Sequence, residues 1–124
     1  MKRRVNPGKG LLALPGGFVK QHLKLVDNAL EELKEETRIL MPKAEILRHL
    51  KDEKAFDHPS RSLRGRTITH AFYFELPNGD LPKVKGDDDA EHAMWVPITE
   101  VFAREDEMFE DHVHIINYFY SRAK

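Results

Sequence analysis

The chain has 124 residues, 40% hydrophobic and 33% charged, which suits one compact domain and not two. Its formal net charge of -1 gives no electrostatic reason to bind nucleic acid, and the lack of cysteine excludes disulfides, thiolate zinc sites and a cysteine nucleophile. Apolar runs such as Leu11 to Leu14 are far too short to span a bilayer, and no apolar stretch follows the basic Lys2-Arg3-Arg4, so a cytoplasmic chain without a secretory signal is expected.

Residues 1–10 are basic and turn-rich. Leu11 to Leu14 predicts a short strand, ended by Pro15-Gly16-Gly17. Residues 25–37 predict a helix, because Leu25, Val26, Ala29, Leu30 and Leu33 recur on one arc. Lys24 stands where a Ser or Thr cap would be expected, while Asp27 supports the first turn through the helix dipole. Ala44 to Lys51 and Lys54 to Asp57 alternate and predict strands; Pro59 to Arg66 reads as a polar loop. Thr67 to Leu76, rich in β-branched and aromatic residues, predicts a further strand, and Pro77-Asn78-Gly79-Asp80 a turn. Ala93 to Pro97 predicts a short strand carrying the single tryptophan. Glu107 to Ser121 predicts a C-terminal helix, with Met108, Phe109, Val113, Ile116, Phe119 and Tyr120 at helical spacing. Two helices around a mixed set of strands imply an α/β/α sandwich.

The first helix carries the chemistry. Glu32, Glu35 and Glu36 stand at i, i+3 and i+4, a spacing that stacks three carboxylates along one stripe. A charged run on a helix is often only a solvated face. Here Glu32 and Glu36 flank the apolar arc, so their clustering is partly desolvated and calls for a cation. A hard divalent ion such as Mg²⁺ suits such an oxygen cluster. The turn Leu14-Pro15-Gly16-Gly17-Phe18 before the helix can place backbone carbonyls beside it. Turn, helix and stripe together point to metal-assisted chemistry on a phosphate ester.

The segment Gly17 to Ile39 resembles the Nudix box, G-x5-E-x7-R-E-U-x-E-E-x-G-U with U a bulky aliphatic residue. Gly17, Glu32, Leu33, Glu35, Glu36 and Ile39 match. Leu23 stands in place of Glu, Glu31 in place of Arg and Arg38 in place of Gly. Gly8 to Phe18 resembles the usual lead-in to the box. Phe56 to Leu76 and Gly86 to Ile98 are similar to the ADP-ribose pyrophosphatase domain fused to nicotinamide-mononucleotide adenylyltransferases. The resemblance implies a Nudix-type α/β/α sandwich with a mixed sheet, one domain over residues 1–124. It implies a hydrolase dependent on Mg²⁺, with Mn²⁺ as the alternative. Such an enzyme splits ADP-ribose, or a related nucleoside diphosphate derivative, into AMP and ribose 5-phosphate. Glu32, Glu35 and Glu36 would hold the metals, joined by the carbonyl of Gly16 or Gly17. A distant carboxylate often assists; Asp87, Asp88, Asp89 and Glu91 are the candidates, with Asp88 or Asp89 favoured among them and a merely solvated acidic loop as the alternative.

Arg61, Arg64 and Arg66 are the candidates to grip phosphate and ribose, since guanidinium forks suit both; ordinary surface charge is the alternative. Phe18 and Phe56 have faces on which an adenine can stack, or are simply core. Gly8-Lys9-Gly10 lacks the spacing of a phosphate-binding P-loop, and His112 and His114, at i and i+2 on a helix, face apart. His58 and His70 are isolated. The expected partner is a small molecule, neither nucleic acid nor membrane.

Glu31 and Glu35 are like charges at i, i+4, costing about 0.2–0.5 kcal/mol where Arg would attract. Reduced activity is therefore expected, with Glu31→Arg raising it. The competing reading is a catalytically weak nucleotide-binding module, a sensor or part of a larger NAD-metabolism protein. Nudix domains also carry a strand, often two, before the Gly-Lys-Gly lead-in. The N-terminal strands look absent here, which predicts either a fragment of a longer protein or a homodimer whose partner covers the gap.

Overall fold

The computed structural model describes residues 1, 3, 11–20, 23–58, 61, 68–77, 79, 81–84 and 93–123. In chain order these form helix α1 (Leu25–Thr37), helix α2 (Lys43–Leu47), strand β1 (Leu50–Phe56), strand β2 (Thr69–Phe74), helix α3 (Ile98–Ala103), a 3-10 turn (Glu105–Glu107) and helix α4 (His112–Arg122). None of the described helices is long and apolar enough to cross a membrane.

β1 and β2 pair antiparallel, with Phe56 opposite Thr69 and Leu50 opposite Phe74. Side chains alternate along a strand, so Tyr73 and Phe74 face opposite sides of the sheet. Phe74 packs against the cluster of Leu30, Ile39 and Ile46, which joins α1 to α2. Tyr73 stacks on Phe119 of α4 at 5.8 Å between ring centroids. Phe56, on the Tyr73 side by register, meets Tyr118 and Phe119 edge-on, and Arg122 reaches Asp52 at 2.9 Å. Helix α1 thus covers one face and α4 the other, the layering that the sequence implies. Each fully buried side chain, such as Ile46, Phe109 or Ile115, contributes about 1.5–3 kcal/mol of burial.

Helix α1 has the predicted bounds. Lys24 makes no side-chain cap. The far end is held by side chains instead: Lys34 Nζ donates to the carbonyls of Ile39 and Met41 at 2.6 and 3.1 Å, and Thr37 Oγ1 donates to that of Leu33. Arg38 takes the left-handed conformation (φ 53°) at the position where the box has Gly. That conformation costs an L-residue about 1–2 kcal/mol.

Several elements differ from the sequence reading. Ala44 to Lys51 is not a strand throughout: Lys43–Leu47 is helical, started by Pro42, whose carbonyl accepts from Glu45 and Ile46. Proline suits a helix start, and five residues burying one side chain leave no period to read. β1 then runs without a break through Lys54. Leu11 to Leu14 forms a single parallel bridge, Leu12 to Met108, not a strand. It is nonetheless paired on two sides, by Glu107 and Phe109 on one and by Met1 and Arg3 on the other. Ala93 to Pro97 is irregular; Trp95 Nε1 instead donates to the Pro82 carbonyl at 2.7 Å. The last helix starts at His112, because Glu110 turns the chain with φ 46°, and α3 lies in a stretch to which the sequence assigns no element.

Candidate functional site

The glycine turn and the carboxylate helix are bound to each other at several points. Glu36 Oε2 accepts the Gly16 N–H at 3.0 Å. Gly17 lies so close to Glu32 that a Cβ there would stand 2.8 Å from the carboxyl carbon. The Lys20 N–H donates to Oδ1 of Asn28 at 3.0 Å, and Asn28 is buried on α1. From the other side the Leu14 N–H donates to Nδ1 of His112 at 3.0 Å. The turn is therefore clamped between α1 and the start of α4.

Electrostatics follow from this packing. Burial, with Glu32 and Glu35 adding, pushes the Glu36 carboxyl up to about 7 against the opposing effect of the Gly16 N–H. Burial and then Glu35 also raise Glu32. Two acids raised chiefly by burial and seated against one backbone turn are hard oxygen donors. That donor chemistry fits Mg²⁺ or Mn²⁺. Among the described residues no three His, Cys, Asp or Glu side chains make a ready metal group. Mg²⁺ commonly takes only one or two carboxylates and completes its shell with water and substrate phosphates.

Glu31 behaves differently from its neighbours. It pairs with the Lys20 ammonium, whose hydrogen bond holds Glu31 below the usual carboxylate range and raises Lys20. The same ammonium stands 3.7 Å from Oε1 of Glu35. The repulsion expected between Glu31 and Glu35 is thus bridged by a cation.

Arg61 also needs correction. Its guanidinium makes a two-pronged ion pair with Asp111, 2.8 Å on each prong, with only 3% of the side chain exposed. This fork ties Arg61 to the start of α4 beside His112. Phe18 is 79% exposed beside the turn, whereas Phe56 packs on α4. Arg64, Arg66, Asp88 and Asp89 lie outside the described residues. Behind the turn is a cavity of about 250 Å³ between Leu14, Leu33, Thr37, Trp95 and Ile116. Those side chains carry no charge, and Met1 also lines the cavity.

The NUDIX domain family model matches residues 1–119. The chain belongs to the Nudix family. A crystal structure of a bifunctional NMN adenylyltransferase/ADP ribose pyrophosphatase from Francisella tularensis superposes with a TM-score of 0.92 at 35% identity, over 99% of this chain and 37% of that one. The ADP-ribose pyrophosphatase of Methanocaldococcus jannaschii is 35% identical over 101 residues, 82% of this chain and 54% of the relative. The chain spans about half the length of that curated relative. The NUDIX domain of Shewanella oneidensis NrtR, at 22% identity, shares the fold with a TM-score of 0.75.

Within the Nudix frame α1 is the box helix, and the Gly16–Gly17 turn is its lead-in. Sequence reasoning missed Lys20, Asn28, Asp111 and His112 as residues that fix this turn. The signal for Asn28 was present, a polar side chain among Leu25, Val26, Ala29 and Leu30. His112 accepts from the Leu14 N–H, and His114 is exposed.

His112 carries a pH prediction. Burial pushes its imidazole down from 6.5 to about 4 in the folded chain. A depressed folded pKa means the neutral ring is favoured. Its contribution is complete above pH 6.5 and is lost as pH falls through 4, a span worth about 3 kcal/mol. His112→Asn keeps an acceptor for Leu14 without the titrating ring. In urea denaturation the stability of wild type relative to His112→Asn should fall by this amount between pH 6.5 and 4, with Glu36, which titrates in the opposite sense over nearly the same window, common to both proteins; a difference independent of pH would remove His112 as the source.

Proposed function

We propose that the chain is a Nudix pyrophosphohydrolase that cleaves ADP-ribose, or a closely related nucleoside diphosphate derivative, to AMP and ribose 5-phosphate in the cytoplasm. Its cofactor is Mg²⁺, with Mn²⁺ able to serve. The observation that carries this reading is the pair Glu32 and Glu36 of the box helix, hard oxygen donors seated against the Gly16–Gly17 turn, both raised chiefly by burial. The Methanocaldococcus relative bears the name of this activity, and the Francisella structure was solved with AMP and a manganese ion. AMP is one of the two products expected.

Hydrolysis breaks one bridging P–O bond as water adds to phosphorus and its proton is taken up. Glu32, Glu35 and Glu36, with the carbonyl of Gly16 or Gly17, would hold the metal, which when bound neutralises phosphate charge and acidifies water. The chain's own work is positional. The turn fixes Glu32 and Glu36, and Asp88 or Asp89 joins the trio as a candidate to take the proton. Exposed Phe18 offers a face for adenine, worth about 0.5–1.5 kcal/mol beyond burial. Arg64 and Arg66 are assigned the phosphate grip that Arg61, engaged with Asp111, does not supply. The test is a panel of ADP-ribose, other nucleoside diphosphate sugars and dinucleoside polyphosphates, incubated with Mg²⁺ and resolved by chromatography. ADP-ribose should be cleaved fastest, yielding AMP and ribose 5-phosphate in equal amounts. Faster turnover of another class would reassign the substrate.

A further inference from the structure

Resting on that reading, we propose that Lys20 is a positioning residue, supplying from the glycine loop the cation that the Nudix pattern carries on the helix at position 31. The pattern places four glutamates and one arginine around the site. This chain has Leu23 in place of the glutamate and Glu31 in place of the arginine, and Lys20 stands at a position the pattern leaves open. What differs is that the ion pair is reversed: the acid sits on α1 and the base on the loop.

Three observations place Lys20 in this role. Its ammonium pairs with Glu31 and stands 3.7 Å from Glu35, a member of the trio. Its backbone N–H is pinned to buried Asn28 one turn earlier on α1, so the ammonium projects from a fixed origin. The loop it belongs to carries Gly16 and Gly17, which contact Glu36 and Glu32. Lys20 thus draws the loop onto the acidic stripe and steadies Glu35 through Glu31. The two departures and Lys20 form one compensated set. Glu31→Arg alone would set a guanidinium against the Lys20 ammonium, so it should harm the site, contrary to the expectation from the box pattern alone.

The test is a charge-swap cycle of Lys20→Glu, Glu31→Arg and the double variant. It is read by Mn²⁺ binding to the free protein, by thermal midpoint, and by kcat and KM for ADP-ribose. Each single variant should weaken Mn²⁺ binding about tenfold and lower the midpoint, while the double variant recovers to within about threefold of wild type. The kinetic loss should fall on kcat more than on KM. Losses that simply multiply in the double variant, or a gain from Glu31→Arg alone, would overturn the proposal. If wild type binds Mn²⁺ but leaves ADP-ribose intact, the proposed activity fails, and the cycle in Mn²⁺ affinity and midpoint still decides the role of Lys20.

Discussion

Glu36→Gln should lower kcat for ADP-ribose by at least about 100-fold while leaving the fold intact. The amide oxygen of Gln can still accept the Gly16 N–H, which Glu36 accepts at 3.0 Å, so the turn keeps its anchor. What disappears is the charge. Glu36 is the acid that burial and its neighbours raise furthest, to about 7, and a cation is what would relieve it. Losing one charged metal ligand removes several kcal/mol of transition-state stabilisation, and each 1.36 kcal/mol is tenfold in rate. Circular dichroism and the thermal midpoint should match wild type or exceed it, because a neutral group replaces a partly buried acid. Undiminished turnover would take Glu36 out of the metal site.

Gly17→Ala should lower kcat by about 100-fold, whereas Gly16→Ala stays close to wild type. A Cβ at Gly17 would lie 2.8 Å from the carboxyl carbon of Glu32, closer than side-chain atoms approach one another, while at Gly16 nothing stands within 4 Å. The Glu32 carboxylate is the mobile end of a flexible side chain, so it yields and the fold survives. Its displacement is the damage, since a shift of about 1 Å at a reacting centre can cost 10²-fold. Parallel kinetics on the two variants check this. Equal behaviour of the two alanines would mean that the approach of Glu32 to the turn has no catalytic weight.

The residues that a sequence exposes best are those whose order is local. Glu32, Glu35 and Glu36 reveal themselves because a helix makes neighbours of i, i+3 and i+4, and α1 is long enough to fix that period. β2 is legible for the matching reason, a run of β-branched and aromatic residues. Short elements have no such period. Helix α2 buries only Ile46 and reads as an alternating strand, and α3 buries only Val101 and goes unseen. Met108 and Phe109 sit at helical spacing yet precede α4, because their burial comes from the bridge to Leu12. At the site, the residues misread are those settled by contacts distant in the chain. Arg61 looks like a phosphate grip until Asp111, fifty residues on, takes its fork. Glu31 looks like a defect until Lys20 folds back across it.

In the proposed reaction, carboxylates of the box helix, seated against the glycine turn, run a metal-dependent cleavage of ADP-ribose. The most direct measurement is AMP formation by the metal-stripped chain as Mg²⁺ is added back, with a chelator control and Glu36→Gln alongside. No AMP above background is expected without metal, with a saturable rise as Mg²⁺ is added and a flat response from Glu36→Gln. AMP formed equally well in excess chelator, or at wild-type rate by Glu36→Gln, would contradict it.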